Sequence, residues 1–404
     1  MVELSIDDIN EAQRTLEGKI KRTTLNHSTT FSKMTGCEIY IKHENLQKTG
    51  SFKVRGAYNK ISHLDETKRK KGVVAVSTGN HAQGVALAAA MFGVTSTIVM
   101  PKGAPISKIE ATKGYGGKVI LYGNSFEEAF TKAKEIAEKE ELTLIHAFDD
   151  PYVAAGQGTI GLEILDDLPD VDLVVCPIGG GGLISGIATA IKSIKPTCRV
   201  VGVQSGEMDA AYRSFKEGKL LETKKGHTLA DGIAIKKPSE FTFSVIKSQL
   251  DDIVIVEEKE IARAMLLLLE RCKSVVEGAG AVSLAALLYR DLFKKGEKIV
   301  LIVSGGNVDI TILSKLINQG LIESGRYREL KVLVEDKPGG LERLLKIISK
   351  MEANIIDINV DRFSPDLPFN FVIVELAIET RNLEHLKTLI EKIRNHFQIY
   401  NSKI

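Results

Sequence analysis

Apolar residues recur along this chain with two periods, one typical of helices and one of strands. Near the N-terminus, Ser5 precedes a stripe formed by Ile9, Ala12 and Leu16, and this spacing of three and four predicts a helix capped by the serine hydroxyl. From Gly72 onward, short β-rich runs alternate with longer helical stretches. We predict strands over residues 72–76, 96–100, 118–122 and 142–145, and helices over 81–92 and 126–139.

The alternation of strand and helix begins again after residue 171. It predicts strands over 172–176, 199–203, 253–256 and 298–303, and helices over 183–193 and 258–271. Buried strands that alternate with helices form βαβ units, in which the strands run parallel and helices cover both faces. The predicted fold class is therefore α/β, with two open, mostly parallel twisted sheets and space for a ligand between them.

The pattern differs near the C-terminus. We interpret residues 317–329, which include Asn318, Gly320 and Gly325, as a linker. The elements predicted after it are a strand (330–335), a helix (340–351), two strands (354–362 and 370–378), a helix (383–397) and a last strand. This βαββαβ order is typical of ferredoxin-like domains, so we separate a small domain near residue 326.

Composition and charge limit the classes of protein to consider. The 404 residues are 44% hydrophobic, and 54 basic residues nearly balance 52 acidic ones, so the overall charge favours neither a nucleic acid nor a membrane as a partner. The four cysteines form no C-x-x-C pair, which disfavours disulfides and metal sites and indicates the reducing cytoplasm. The N-terminus lacks signal-peptide features, and no apolar run is long enough to cross a bilayer.

Lys53 is the first candidate for chemistry, in the run Thr49-Gly50-Ser51-Phe52-Lys53. Most lysines are exposed and unreactive. A buried lysine, however, loses proton affinity and can then attack a carbonyl group as a neutral amine. The local sequence alone leaves both interpretations open.

Four consecutive glycines, Gly179 to Gly182, stand between a predicted strand and the helix that begins at Leu183. Backbone amides in such a turn can close around a phosphate, and the helix N-terminus adds a favourable dipole. A tight turn needs only one glycine, so we favour phosphate binding. Since no Gly-Lys-Ser/Thr follows, a P-loop hydrolase is excluded, and the pattern is a poor match to a dinucleotide site.

Two polar loops also follow predicted strands. The loop 77–81 (Ser-Thr-Gly-Asn-His) either caps the next helix or binds an anion such as a substrate carboxylate, and His81 is either structural or catalytic. The loop 304–307 (Ser-Gly-Gly-Asn) ends the last strand of the second sheet, where open α/β folds bind ligands. Glu277, before Gly278 and a predicted helix, is a weaker candidate, for which interaction with the helix dipole is a sufficient explanation.

Together these motifs resemble the threonine/serine dehydratases, a family of fold-type II pyridoxal-phosphate enzymes with a fold similar to the tryptophan synthase β chain. The resemblance runs from about residue 5 to 316, and it includes residues 47–53, 77–84, 156–159, the four glycines and 304–307. It implies a catalytic domain of residues 1–320, in which a small subdomain (about 46–149) is inserted into a larger one (1–45 and 150–320).

The resemblance also implies a role for each candidate residue. Lys53 and Ser304 are catalytic: Lys53 carries pyridoxal 5'-phosphate as a Schiff base and later removes the α-proton of the substrate, and Ser304 lies against the pyridine nitrogen. Because a neutral serine holds that nitrogen unprotonated, the ring is a weaker electron sink, which suits elimination. Cofactor-binding residues are Lys53, Phe52, Asn80, Gly179, Gly180, Gly181, Gly182, Leu183 and Ser304. Substrate-binding residues are Ser77, Thr78, Gly79, Asn80 and His81.

The implied reaction converts L-threonine to 2-oxobutanoate and ammonia, and L-serine to pyruvate. Serine racemases of the family place a serine before the Gly-Asn of the loop, where this chain has Thr78. They also carry carboxylate ligands for a divalent cation, where this chain has Gln204 and Ala210. These departures disfavour racemisation, and no metal site is predicted. The alternatives are a serine racemase or serine dehydratase, and a non-catalytic amino-acid sensor, which the intact site residues disfavour.

The segment 326–404 resembles an ACT regulatory domain in the runs 334–341 and 353–355. The resemblance implies control by an amino-acid effector, of the branched-chain class, with simple dimerisation as the alternative role. Effector-binding residues would be Asp336, Pro338, Gly339, Leu341 and Asn354. We expect a homo-oligomer, a dimer or a tetramer, because one ACT domain leaves a sheet edge to cover.

Overall fold

The computed structural model describes residues 4–224, 226–365 and 367–400. The chain divides into two compact units, residues 1–309 and 310–404. The helices of the first unit are α1 (Ile6–Leu16), α2 (Thr29–Thr35), α3 (Lys53–Ser62), α4 (Glu66–Lys71), α5 (Asn80–Met91), α6 (Ile106–Gly114), α7 (Phe126–Glu140), α8 (Pro151–Asp167), α9 (Gly182–Ile194), α10 (Ala210–Glu217), α11 (Glu240–Gln249), α12 (Glu258–Cys272) and α13 (Gly278–Tyr289). Its strands are β1 (Leu25–His27), β2 (Glu38–His43), β3 (Val73–Val76), β4 (Ser96–Met100), β5 (Lys118–Leu121), β6 (Thr143–Leu144), β7 (Leu173–Pro177), β8 (Arg199–Ser205), β9 (Asp252–Val256) and β10 (Lys298–Val303).

These strands form two sheets, which confirms the predicted fold class. The larger sheet has the order β1-β2-β10-β7-β8-β9, and all its pairs are parallel except β1 with β2. The smaller sheet, β5-β4-β3-β6, is entirely parallel. Every residue of β3, β4 and β7 is buried, as expected for strands covered by helices on both faces.

Helices α8 and α9 pack very closely behind the larger sheet. A Cβ atom on Gly186 of α9 would lie 2.2 Å from the carbonyl oxygen of Ala154 in α8. A Cβ atom on Gly158 would meet Gly186 and Ile9 at less than 3 Å. Gly158 of the 156–159 motif and Gly186 therefore allow these two helices to approach each other.

The second unit contains α14 (Ile310–Glu323), β11 (Tyr327–Glu335), α15 (Gly340–Lys350), β12 (Asn354–Asp361), β13 (Phe371–Glu379), α16 (Leu383–Arg394) and β14 (Gln398–Ile399). Its strands form an antiparallel sheet in the order β12-β13-β11-β14, which confirms the predicted βαββαβ succession. The predicted linker over 317–329 is wrong, because most of it belongs to α14 and β11. The apolar residues Ile310, Leu313, Leu316 and Ile317 have helical spacing, which outweighs the single Gly320.

Within the described part of the chain, no helix is long and apolar enough to span a membrane.

Candidate active site

A cavity of about 590 Å³ opens in the first unit, where parallel strands of both sheets end. The segments that follow β3, β6, β7 and β10 all contribute to its wall. The cavity brings together every residue for which the sequence predicted cofactor or substrate binding. These are Phe52, Lys53, Ser77, Thr78, Gly79, Asn80, His81, Gly179, Gly180, Gly181, Gly182, Leu183 and Ser304.

Lys53 is the first residue of α3, and its side chain enters the cavity. Its Nζ atom donates a hydrogen bond to the carbonyl oxygen of Ala147 at 3.0 Å and lies 5.1 Å from the centre of the Phe52 ring. Burial lowers the pKa of Lys53 to about 8, although the charge of Glu277 opposes this. A substantial fraction of the amine is therefore neutral and nucleophilic near physiological pH.

The glycine loop has the properties of a phosphate cradle. Gly181 adopts φ +97°, which a side chain would strain, and a Cβ atom on Gly180 would lie 2.3 Å from the ring of Phe148. Thr242 Oγ1 donates to the carbonyl oxygen of Gly180 and fixes the loop. Among the described residues, the amides from Gly179 to Leu183 have no acceptor. Unpaired amides at the start of α9, on a cavity wall, fit the phosphate of the predicted cofactor.

The asparagine of the loop 77–81 is held by two partners. Asn80 Nδ2 donates to Glu277 Oε1 at 2.6 Å, and Asn80 Oδ1 accepts from Asn307 Nδ2 at 2.7 Å. Asn307 Nδ2 also donates to the carbonyl oxygen of Thr49, near Lys53. No side chain of the described residues caps α5, so capping does not explain this motif. One hydrogen of Asn80 Nδ2 is still available for a ligand in the cavity.

Glu277 is a site residue whose importance the sequence analysis underestimated. It is buried on the cavity wall at the start of α13 and accepts the hydrogen bond from Asn80. Burial, with the nearby charge of Asp231, raises the pKa of Glu277 to about 7, against the opposing effect of the Asn80 hydrogen bond. The helix dipole alone is therefore an incomplete explanation of this residue. Its only sequence signal is a glutamate followed by Gly278 and Gly280 at a predicted helix start.

His81 and Ser304 both lie on the wall, in different settings. His81 is 3% exposed, and the pairing of its Nε2 atom with the carbonyl oxygen of Ile145 at 2.9 Å fixes its ring. Burial, followed by the charge of Lys53, lowers the pKa of His81 to about 3, so the ring is neutral at physiological pH. Ser304 follows β10, and its carbonyl oxygen accepts from the amide of Phe52, which ties this strand end to the segment that carries Lys53.

His146 also lines the cavity, and the sequence analysis did not single it out. It stands in the segment after β6, between Ile145, which holds His81, and Ala147, which holds Lys53. No sequence motif marks a single histidine after a short strand, so only the folded structure shows that His146 lies on the cavity wall.

Gln204 and Ala210 stand at the two positions for which the resemblance to racemases implies cation ligands. Gln204 Oε1 accepts a hydrogen bond from the backbone amide of Tyr212 at 2.9 Å. Ala210 is the first residue of α10. In the described ranges, no group of three or more histidine, cysteine or carboxylate side chains is arranged to hold a metal ion.

The residues predicted to bind an effector separate into two places within the second unit. Asp336, Pro338, Gly339 and Leu341 share the turn between β11 and α15, where Gly339 has φ +84°. Asn354 pairs with Glu379 at one end of β13, whereas the turn follows Glu335, which pairs with Phe371 at the other end. These ends are about 27 Å apart at the rise of a β-strand. One copy of the sheet therefore does not bring Asn354 to the turn.

Comparison with known proteins agrees with this geometry. The profile of the pyridoxal-phosphate dependent enzyme family matches residues 16–305, and that of the ACT domain matches residues 327–401. L-threonine ammonia-lyase of Thermotoga maritima is 51% identical over 96% of each chain. Among solved structures, the threonine deaminase of T.th. has a TM-score of 0.72 and 40% identity, over 76% of this chain and 99% of that one. Maize serine racemase has a TM-score of 0.75 and 38% identity, over 80% and 99%.

The two solved structures have similar scores, so the fold does not separate elimination from racemisation. The identity along almost the whole chain is what defines the relationship. With the cavity, the glycine cradle and the buried lysine in place, the cofactor is pyridoxal 5'-phosphate. The chain belongs to the L-threonine ammonia-lyase family of pyridoxal-phosphate dependent enzymes and carries a C-terminal ACT domain.

Proposed function

We propose that this protein deaminates L-threonine to 2-oxobutanoate and ammonia, acts on L-serine as well, and responds to an amino acid bound at its ACT domain. The observation that carries the catalytic part is the position of Lys53: a half-buried amine with a lowered pKa shares one cavity with unpaired amides suited to a phosphate. The relative from Thermotoga maritima, an L-threonine ammonia-lyase, supports the choice of substrate.

The residues of the cavity have separate roles in binding and catalysis. The amides of Gly179 to Leu183 would hold the phosphate, and Asn80, Phe52 and Ser304 would fix the ring. When bound, pyridoxal phosphate withdraws electrons from the α-carbon of an amino acid and so makes its α-proton acidic. Lys53 Nζ, as a neutral amine, accepts this proton. The β-hydroxyl then leaves as hydroxide, which together with the proton taken up by Lys53 amounts to one water molecule. The released enamine hydrolyses to 2-oxobutanoate and ammonia.

The substrate carboxylate belongs at the loop 77–81. Ser77 Oγ accepts from the amide of Gly79 and so shapes the loop. Thr78 presents a hydroxyl on the cavity wall, and its position before Gly79 is the one at which racemases of the family place a serine base. A threonine there carries an additional methyl group, and this supports elimination over proton return to the opposite face.

A turnover assay with one variant tests the proposal. The purified wild-type protein should absorb as a pyridoxal-phosphate enzyme and form 2-oxobutanoate from L-threonine, pyruvate from L-serine and no D-serine. Lys53→Ala should lower turnover by at least about 10³-fold. Lys48→Ala is the matched control, because Lys48 is exposed in the same segment and its side-chain amine donates to the carbonyl oxygen of Lys19. Full activity of Lys53→Ala would contradict the mechanism, and D-serine as the main product would favour the racemase.

Regulation is proposed at the turn that holds Asp336, Pro338, Gly339 and Leu341. Leu341 is 36% exposed, and Gly339, with φ +84°, directly precedes α15. Titration of the full chain with L-isoleucine or L-valine should reveal saturable binding, and Asp336→Ala should weaken it. Glu342→Ala is the control, since Glu342 pairs with Lys346 on the surface of α15. Unchanged binding in Asp336→Ala would remove this turn from the site.

A homo-oligomer is also proposed. In the described sheet of the second unit, β12 is an edge strand that carries the exposed side chains of Ile356 and Ile358. Unpaired edge strands with apolar residues tend to associate. Sedimentation of the full chain tests this, and a monomer at micromolar concentration would contradict it.

A further inference from the structure

The cavity wall includes His146, a polar side chain that the reaction described above does not use. His146 follows β6, and the carbonyl groups on either side of it, those of Ile145 and Ala147, accept from His81 and Lys53 respectively. The segment that carries His146 is therefore fixed next to the reacting lysine.

The hydrogen bonds of His146 determine where its ring carries a proton. Its Nδ1 atom accepts from the amide of Asp149 at 2.8 Å and from that of Phe148 at 3.4 Å. Burial, opposed by Asp149, lowers the pKa of His146, and the charge of Lys53 lowers it further, so the ring is neutral at physiological pH. A neutral imidazole whose Nδ1 accepts must carry its hydrogen on Nε2.

The donor on Nε2 is available to a ligand. No partner for His146 Nε2 is found among the residues that the structure describes, and the atom is not among the sealed polar atoms of the interior. The rings of Phe130 and Phe148 contact the imidazole edge to face, with centroids at 6.1 and 4.8 Å, and so fix its plane. The cavity wall here is thus aromatic, with a single oriented N–H donor.

We propose that His146 Nε2 binds the β-hydroxyl oxygen of the substrate and so selects hydroxylated amino acids. This inference rests on the proposed function. A neutral imidazole is a hydrogen-bond donor but a poor acid, so the residue orients the leaving group and does not supply its proton. The aromatic rings beside it accommodate the methyl group of threonine. An amino acid of the same size without the oxygen cannot accept from Nε2, so it gains no binding energy from this donor.

Two substitutions separate the donor from the loop. Asparagine retains an acceptor near the position of Nδ1, so the amides of Phe148 and Asp149 keep a partner, but nothing reaches the position of Nε2. Glutamine extends an amide N–H to about that position. His146→Asn should lower kcat/KM for L-threonine about 10- to 100-fold. His146→Gln should recover part of the loss, and His27→Phe, at an exposed site outside the cavity, should change nothing.

A ligand without the hydroxyl shows which substrate group is bound. L-2-aminobutyrate is threonine without its hydroxyl, so its inhibition constant should be the same for His146→Asn and the wild type within about twofold. If His146→Asn lost affinity for threonine and L-2-aminobutyrate equally, His146 would stabilise its own loop or bind the substrate carboxylate, and this result would overturn the proposal. So would full activity of His146→Asn.

The wild-type holoenzyme offers a test that needs no variant. O-methyl-L-serine and L-norvaline have the same size and differ by an oxygen in place of a methylene group. As competitive inhibitors, O-methyl-L-serine should bind about tenfold more tightly, because its oxygen accepts from Nε2. Equal affinities would overturn the assignment of His146. Failure of the wild type to form 2-oxobutanoate would instead contradict the proposed function.

Discussion

Two groups of ionisable side chains, one fully buried and one partly buried, include residues at the start of α3, and they differ in how their charges are balanced. The anchor cluster (Lys42, Glu44, Arg55 and Glu163) has two cations and two carboxylates, all buried. All five N–H groups of Arg55 have acceptors, at Glu44, Glu163 and Thr159. The catalytic cluster (Lys53, His81, His146 and Glu277), all of it in the described part of the chain, contains no ion pair within 4 Å.

The pKa values of the two clusters therefore shift in opposite senses. Burial alone would lower the pKa of Arg55, but the carboxylates of Glu44 and Glu163 raise it well above its usual value. Burial likewise would raise the pKa of Glu163, and Arg55 and Lys42 more than reverse this. In the catalytic cluster burial dominates, so the pKa values of Lys53 and Glu277 move toward neutrality, to about 8 and about 7. The ion pairs of the anchor cluster stabilise α3, whereas the ionisable groups of the catalytic cluster, which lack ion pairs, can gain or lose a proton near physiological pH.

The largest difference should appear when one charge of the anchor cluster is removed. Arg55→Met leaves Glu44 and Glu163 buried with Lys42 as their only cation, so we expect unfolding free energy to fall by about 3–5 kcal/mol. Lys53→Met, two residues earlier in the same helix, removes a half-buried amine that has no carboxylate partner among the described residues and should cost much less. Urea denaturation of the wild type and both variants measures the two losses of unfolding free energy, which can be compared directly if the m-values are equal. A loss below about 1 kcal/mol for Arg55→Met would show that the pairing does not anchor α3.

The next effect concerns the pH dependence of stability. The pKa of Glu277 is raised from 4.5 to about 7 in the folded protein, so the folded state binds more protons than the unfolded state between these values. The stability contribution is complete below pH 4.5 and is lost as the pH rises through 7. It amounts to about 3 kcal/mol.

Glu277→Gln mimics the protonated form and should abolish this dependence. Between pH 5 and pH 8, the wild type should lose about 2–3 kcal/mol more unfolding free energy than the variant. Glu258→Gln is the control, because Glu258 accepts from Ser205 and Thr228 outside the catalytic cluster. Parallel pH curves for Glu277→Gln and the wild type would mean that the carboxyl titrates normally.

The sequence predicted the catalytic cluster better than the anchor cluster, for a physical reason. Lys53, Asn80 and the four glycines lie in contiguous runs whose residue types are unusual, so short-range patterns reveal them. The partners of Arg55 lie 11 and 108 residues away, and only the folded chain brings them together. Helix α8, which supplies Glu163, is buried along most of its length, so its polar residues do not mark an exposed face.

The ends of helices and strands are likewise predicted well only where a local sequence signal marks them. The predicted strands 96–100 and 298–303 agree with β4 and β10, because Pro101 and Ser304 end clear apolar runs. The strand predicted over 142–145 shortens to Thr143–Leu144, since Ile145 already turns its carbonyl to His81. Glu277 was underestimated because its partner Asn80 is 197 residues distant. The role of such residues depends on contacts with distant parts of the chain, and the local pattern of hydrophobic and polar residues does not reveal these contacts.

The smallest effect tests whether the space around Glu277 is as restricted as the geometry indicates. A Cβ atom on Gly305 would lie 2.2 Å from Glu277 Oε1 and 3.2 Å from Asn80 Nδ2. Gly305→Ala should therefore displace the carboxyl, weaken its bond to Asn80 and cost about 1–3 kcal/mol of unfolding free energy. Gly103→Ala is the matched control, since no described atom lies within 4 Å of its Cβ position, and it should change stability by less than about 1 kcal/mol.

A double-mutant cycle identifies the cause of any loss. If the clash with the carboxyl is responsible, Gly305→Ala should cost much less in a Glu277→Ala background, because the shorter side chain leaves the space free. Additive losses would instead locate the strain in the backbone contacts of Gly305, whose carbonyl accepts from the amide of Glu277. The Glu277 carboxyl, which has no ion-pair partner among the described residues, would on the first outcome be confined by Gly305 as well as buried, and only coupling between these two positions supports that view. In the anchor cluster, by contrast, ion pairs provide the confinement.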